Sequence, residues 1–189
     1  MKYDTTKPLT KGAKRTLGAF TKEMFVLLSE KSFEEITVGQ LCEAAQYPRA
    51  TFYNYFDDKY DLLDYCWQSL AGQVGFSDYH HAAENEMLYL YFDRIYDFTK
   101  ENEAVIHKVL SHNSEVGYMF SSFRNFLNNT MRQIFKDCTE ATQKDIPNAL
   151  LADHYSNTLF LVWQWATFKN PHCTKEQAHT YLCALVGNL

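Results

Sequence analysis

Residues 35–63 read EITVGQLCEAAQYPRATFYNYFDDKYDLL. The stretch divides into two short helices, a tight turn between them, and the start of a longer helix. Thr37 is a good N-cap, and Gln40 three residues on completes a capping box. Leu41, Ala44 and Ala45 then share one helical face. The pattern stops at Gln46-Tyr47-Pro48. Pro48 suits the first turn of a second helix, because its missing N–H would have no partner there anyway. That helix spans Pro48 to Tyr55. Phe52 and Phe56, four apart, share its buried side. Arg49, Ala50, Tyr53 and Asn54 are left on the exposed side. Asp58 caps the next helix, with Asp61 facing the positive end of its dipole.

Two short helices around a tight turn make a helix-turn-helix, whose second helix can enter a DNA major groove. The exposed side carries the chemistry for it. Arg49 offers a planar fork of donors to guanine or phosphate, and Asn54 can pair with adenine through two hydrogen bonds. Thr51, Tyr53 and Tyr55 have hydroxyls for phosphate oxygens, and Ala50 lets the helix approach closely. From about Thr16 to Leu63 the chain resembles the DNA-binding head of the TetR family of transcriptional regulators. The likeness is densest over Ile36-Thr37-Val38, Leu41-x-x-Ala44-Ala45, the run from Arg49 to Phe56, and Lys59 to Leu63. It implies that Thr37, Pro48 and Lys59 join Arg49, Ala50, Thr51, Tyr53, Asn54 and Tyr55 as the DNA-contacting set. Two positions depart from the family pattern. Gln46 stands where glycine is usual, so the turn cannot draw on glycine's freedom at positive φ. Pro48 stands where Ser or Thr is common, which removes a side-chain cap.

The net charge of −5 over 189 residues looks wrong for a DNA binder until its distribution is considered. Residues 1–22 hold Lys2, Lys7, Lys11, Lys14, Arg15 and Lys22 against Asp4 alone, a local +5, while residues 66–189 carry nine basic and thirteen acidic side chains, a local −4. A local basic patch governs attraction to phosphate. A tail over Met1 to Thr10, disordered without DNA, fits this composition. That tail lacks the apolar core of a secretory signal, and no apolar run is long enough to span a membrane. Five scattered cysteines fit reduced thiols in a cytoplasm better than a disulfide framework.

The rest of the chain reads as helix throughout. Leu17, Phe20, Met24, Leu27 and Leu28 give the stripe of a first helix from Lys11 to about Lys31. A fourth helix begins near Lys59 and ends around Gly72 to Ser77. Five more follow, with breaks at Ser111 to Gly117, Thr139 to Asp145 and Asn170-Pro171. Thr174 and Gln177 form a second capping box. No segment alternates with period two. The expected fold is all-α, about nine helices. A helix-turn-helix domain occupies residues 1–57, and a helical regulatory and dimerisation domain residues 58–189. On the resemblance, the fourth helix carries signals from the body to the head.

The helix at 147–168 is apolar nearly all round, which calls for cover on both sides. A second copy supplies it if this helix and the last one pair across a two-fold axis. The expected interface is Leu151, Tyr155, Leu159, Val162, Ala166, Tyr181 and Leu185. Tyr91, Phe92, Phe123, Phe126, Tyr155 and Trp163 lie on helices that should surround one space. They suit a flat or mostly apolar effector. Arg94, Arg124 and Arg132 could admit an anionic one. His172, Cys173, His179 and Cys183 match no structural zinc spacing, so no metal is expected. No phosphate loop, nucleophile elbow or cofactor motif is present, and no enzymatic activity or cofactor is expected. The function that emerges is a homodimeric DNA-binding regulator, a repressor released by a small effector, acting on a near-palindromic operator. The alternatives are a regulator controlled by a partner protein, or an activator.

Overall fold

The computed structural model describes residues 8–74, 84–137, 146–170 and 172–187. Lys2, Lys7, the break at 75–77 and the loop at 139–145 lie outside them. The described residues are helical, with no strand. In chain order they form α1 (Lys11–Leu28), a 3-10 turn η1 (Phe33–Glu35), α2 (Val38–Ala44), α3 (Arg49–Tyr55) and α4 (Lys59–Val74). There follow α5 (Glu84–Glu101), α6 (Glu103–His112), α7 (Tyr118–Asp137), α8 (Asn148–Gln164), a π-helical turn (Trp165–Lys169) and α9 (Lys175–Val186).

The packing groups the chain into two compact units. The first runs through Leu70 and includes Ala104–Ser122; the second is Ala71–Glu103 with Phe123–Leu189. The division does not fall at residue 57. Most of α4, nearly all of α6 and the first turn of α7 pack with the head.

In the first unit, Thr10 caps α1 by accepting the Ala13 N–H at 3.1 Å. The stripe of Leu17, Phe20, Met24, Leu27 and Leu28 is buried along its length. Phe20 forms the hinge of the core. Its ring meets Phe52 edge-on at 5.3 Å and Phe56 at 6.2 Å, the perpendicular arrangement that the ring quadrupoles favour. Cys66 is fully buried on α4, and burial pushes its thiol up to about 12. The reactive thiolate is therefore scarce at any neutral or mildly alkaline pH. Iodoacetamide on the native protein should spare Cys66 while labelling half-buried Cys183, as read by peptide mass spectrometry. Equal labelling rates would mean that the core of this unit opens readily.

In the second unit α5, α8 and α9 pack on one another. The Trp163 indole N–H donates to Thr99 Oγ1 at 2.9 Å, and the Tyr96 hydroxyl donates to the Cys173 carbonyl at 2.7 Å. Both satisfy the polar end of a buried aromatic. After Gln164 the α8 pattern loosens to a π turn, closed by the Asn170 N–H on the Trp165 carbonyl at 2.9 Å. The expected box at Thr174 and Gln177 opens α9. No helix among the described residues is long and apolar enough to cross a membrane.

Candidate nucleic-acid interface

The helix-turn-helix is held by local chemistry at each joint. The Gln40 N–H donates to Thr37 Oγ1 at 3.2 Å, and the Thr37 N–H donates back to Gln40 Oε1 at 3.0 Å. This reciprocal box fixes the start of α2. At the other end Tyr47 N–H reaches the Cys42 carbonyl at 3.0 Å, and Gln46 N–H reaches Glu43 at 3.1 Å. That pair is a Schellman closure, which needs a left-handed residue between its arms. Gln46 takes the position at φ 57, strained for a residue with a Cβ. The turn is thus made in the usual left-handed way, without glycine. Gln46→Gly should raise thermal stability by about 1 kcal/mol, the left-handed strain less glycine's extra chain entropy. A lower melting temperature for that variant would show that Gln46 makes compensating contacts.

The recognition helix α3 starts one residue later than expected. Pro48 is its N-cap, with extended backbone and no side-chain cap. The Thr51 N–H takes the Pro48 carbonyl instead, at 2.9 Å. Phe52 is buried, whereas Arg49, Ala50, Tyr53 and Asn54 are exposed and Thr51 and Tyr55 half-buried. Arg49 lies across α2, where a Cβ on Gly39 would stand 2.7 Å from its Nη2. Lys11, Lys14, Arg15 and Lys22 are exposed on α1. The Asp58 carboxylate accepts the N–H groups of Tyr60 and Asp61, both at 2.9 Å, and so caps α4 as expected.

Three expectations change. Lys59 is not free for phosphate. Its ammonium donates to the carbonyls of Phe33, Glu34 and Ile36 at 2.9, 2.9 and 2.8 Å, and lies 4.7 Å from the centroid of the Phe33 ring. Those bonds use all three of its protons. Burial holds it below the ordinary lysine value, with Glu34 opposing. Ala44 is exposed and so does not continue the buried face of Leu41. The Thr37 hydroxyl is committed to Gln40, although the residue is exposed. A further box, Ser32 with Glu35, orders the approach to α2, and the hydrogen bond from the Ser32 hydroxyl holds the Glu35 carboxyl below its usual value. Its Ser-x-x-Glu spacing is legible in the sequence.

The residues expected to pair two copies divide by burial. Leu151, Tyr155, Leu159, Val162 and Ala166 are buried against their own chain. The exposed apolar positions of this region are Leu150, Leu161, Trp165, Tyr181 and Leu185, each at least 41 % accessible. An open groove of about 420 Å³ runs between Leu150, His154, Asn157 and Leu161 on that outer side of α8.

Of the expected effector-binding aromatics, Tyr91, Phe92, Tyr155 and Trp163 are buried, and Phe123 and Phe126 half-buried. Phe123 and Trp163 meet at 5.5 Å and are joined by Phe160 and Phe168 in one ring cluster. None of the six lines the groove on α8. Arg132 forms a two-pronged ion pair with Asp153, Arg94 donates to the Val74 carbonyl, and Arg124 lies over the Phe160 ring. Cys183 Sγ stands 3.6 Å from His179 Nδ1. Among the described residues, no three His, Cys, Asp or Glu side chains are grouped to hold a metal.

A capped helix-turn-helix with an exposed Arg, Tyr and Asn on its second helix defines a DNA-binding protein of the helix-turn-helix class. Residues 25–66 match the model of the bacterial regulatory proteins of the tetR family. Solved structures extend the likeness of fold to nearly the whole chain. A putative TetR-family regulator from Syntrophomonas wolfei superposes with TM-score 0.64 at 18% identity, over 93% of this chain and 97% of that one. A TetR regulator from Streptococcus agalactiae gives 0.63 at 20%, over 93% and 95%. The fatty acid degradation regulator FadR from Bacillus halodurans gives 0.62 at 15%, over 97% and 98%. Comparison with curated protein sequences finds no match. Residues 25–66 thus form a DNA-binding segment of the tetR-family type, and the fold of the chain is that of TetR-family regulators.

Proposed function

We propose that the protein is a cytoplasmic homodimeric repressor that binds a near-palindromic operator and leaves it when a small effector binds. The observation that carries this reading is the exposed Arg49, Ala50, Tyr53 and Asn54 face on a helix whose opposite side is locked by Phe52. In this reading Arg49 and Asn54 read base edges. Tyr53, with half-buried Thr51 and Tyr55, holds phosphates. Thr37 and Pro48 set the helix ends at the backbone, and the basic α1 face adds sequence-independent attraction. Two copies pair through the outer face of α8, the π turn after it and α9, on Leu150, Leu161, Trp165, Tyr181 and Leu185.

The effector is flat or mostly apolar and is held by the aromatic side chains of α5, α7 and α8. The pairing of Arg132 with Asp153 argues against an anion bound at Arg132. A ligand releases DNA only if it binds the DNA-free form better, by about 5.5 kcal/mol for a near-complete switch. The test is fluorescence anisotropy with DNA from neighbouring promoters, repeated across salt and then with a panel of apolar metabolites, fatty acids among them. Steep salt dependence with release by one metabolite supports the reading. Tight binding that no metabolite relieves would favour control by a partner protein.

A further inference from the structure

We propose that Asn113 and Glu34 are positioning residues for DNA recognition, a clasp by which the α6–α7 corner sets the orientation of the helix-turn-helix. The proposal rests on the operator-binding reading above and adds to it two side chains that touch no DNA.

Asn113 follows α6 directly and is only 4 % exposed. Its carboxamide oxygen accepts the Phe33 N–H at 2.9 Å, and its nitrogen donates to the carbonyls of Leu28 at 3.0 Å and Val109 at 2.7 Å. One N–H and two carbonyls face the amide, so only one of its two flips satisfies all three. The Leu28 carbonyl belongs to the last turn of α1, where helix carbonyls lack intrahelical partners. One buried side chain thus joins the end of α1, the first residue of η1 and the last turn of α6.

Glu34 works from the other side. Its Oε1 accepts the N–H of Tyr118, the first residue of α7, at 3.1 Å. A carboxylate is favoured there by the helix dipole. Gly117 leaves it room, since a Cβ there would stand 3.4 Å from that oxygen. The Tyr118 ring stacks on Phe33 at 5.4 Å and meets Tyr60 edge-on at 4.6 Å. The three residues of η1 are therefore gripped by α4 through Lys59, by α6 through Asn113 and by α7 through Tyr118. Only Ile36 separates η1 from Thr37, the cap of the helix-turn-helix. The same corner continues into α7, a helix of 20 residues.

Positioning and stability can be told apart because Glu34 is exposed. Surface polar contacts of this kind add little to folding. Glu34→Ala should melt close to the parent temperature, yet bind a selected operator about tenfold more weakly, and accept a wider range of half-site spacings. Asn113→Ala, assayed well below its melting temperature, should show the same broadened spacing. Arg49→Ala serves as the contrast, losing affinity with the spacing preference unchanged. Parent-like affinity and parent-like spacing in Glu34→Ala would overturn the clasp whatever Asn113→Ala does. A parent protein that selects no DNA sequence would instead refute the operator-binding reading on which the clasp rests.

Discussion

Leu161→Glu should give a folded monomer, and Val162→Glu should give no folded protein. The two residues are neighbours on α8, but Leu161 is 55 % exposed and Val162 only 2 %. In the proposed dimer Leu161 is covered by the other copy. Burying a side chain of that size stabilises association by about 1.5–3 kcal/mol per copy. A glutamate removes that gain twice and adds a charge to be desolvated in each copy. The dissociation constant should rise at least about a hundredfold, a conversion of roughly 3 kcal/mol. Operator affinity should fall further, because two linked heads gain about 10²–10⁴ over one by effective concentration. At Val162 the same change places an unpaired charge in the core, at a cost above about 4 kcal/mol. Light scattering and circular dichroism on the two variants decide the matter. A dimeric Leu161→Glu would remove the outer face of α8 as the pairing surface.

Arg49→Ala should weaken operator binding by about 1–3 kcal/mol, five- to 150-fold, with the melting temperature unchanged. The side chain is exposed, and the fold owes little to it. Discrimination against substitutions at one operator position should fall with the affinity if Arg49 grips a base. Uniform weakening across sequences, with a shallower salt slope, would make it a phosphate contact. Binding at the parent's strength would show that α3 is not the recognition helix. Phe52→Ala is the structural counterpart, since it removes a fully buried ring that Phe20 meets edge-on. It should destabilise the head by about 3–5 kcal/mol.

The head was legible because its signals are local. Thr37 with Gln40 and Asp58 before α4 each announce a helix start within four residues, as Thr174 with Gln177 does for α9 in the second unit, and each is found in place. The exposed side of α3 followed from the spacing of Phe52 and Phe56. Lys59 was misread because its partners are 23 to 26 residues away in the chain. Next to a recognition helix a lysine suggests phosphate, and only the folded loop shows three carbonyls converging on it. Asn113 was out of reach for the same reason, with partners 80 and 85 residues distant. Which face of α8 is buried within the chain was not legible, for a different cause. Leu151, Tyr155, Leu159 and Val162 repeat at helical spacing, and so do Leu150, Leu161 and Trp165. On a helix apolar nearly all round, periodicity cannot say which stripe faces inward. Burial by α5 and α9 makes that choice.

Selection of bound sites from a pool of randomised duplex DNA tests the central claim most directly. The expected product is one near-palindromic sequence, with half-sites separated by about one helical turn or slightly more, bound by two chains. Arg49→Ala should relax the preference at one position of each half-site. Recovery of unrelated sequences with no shared half-site, bound with equal strength, would contradict a sequence-reading role for the Arg49 to Tyr55 helix.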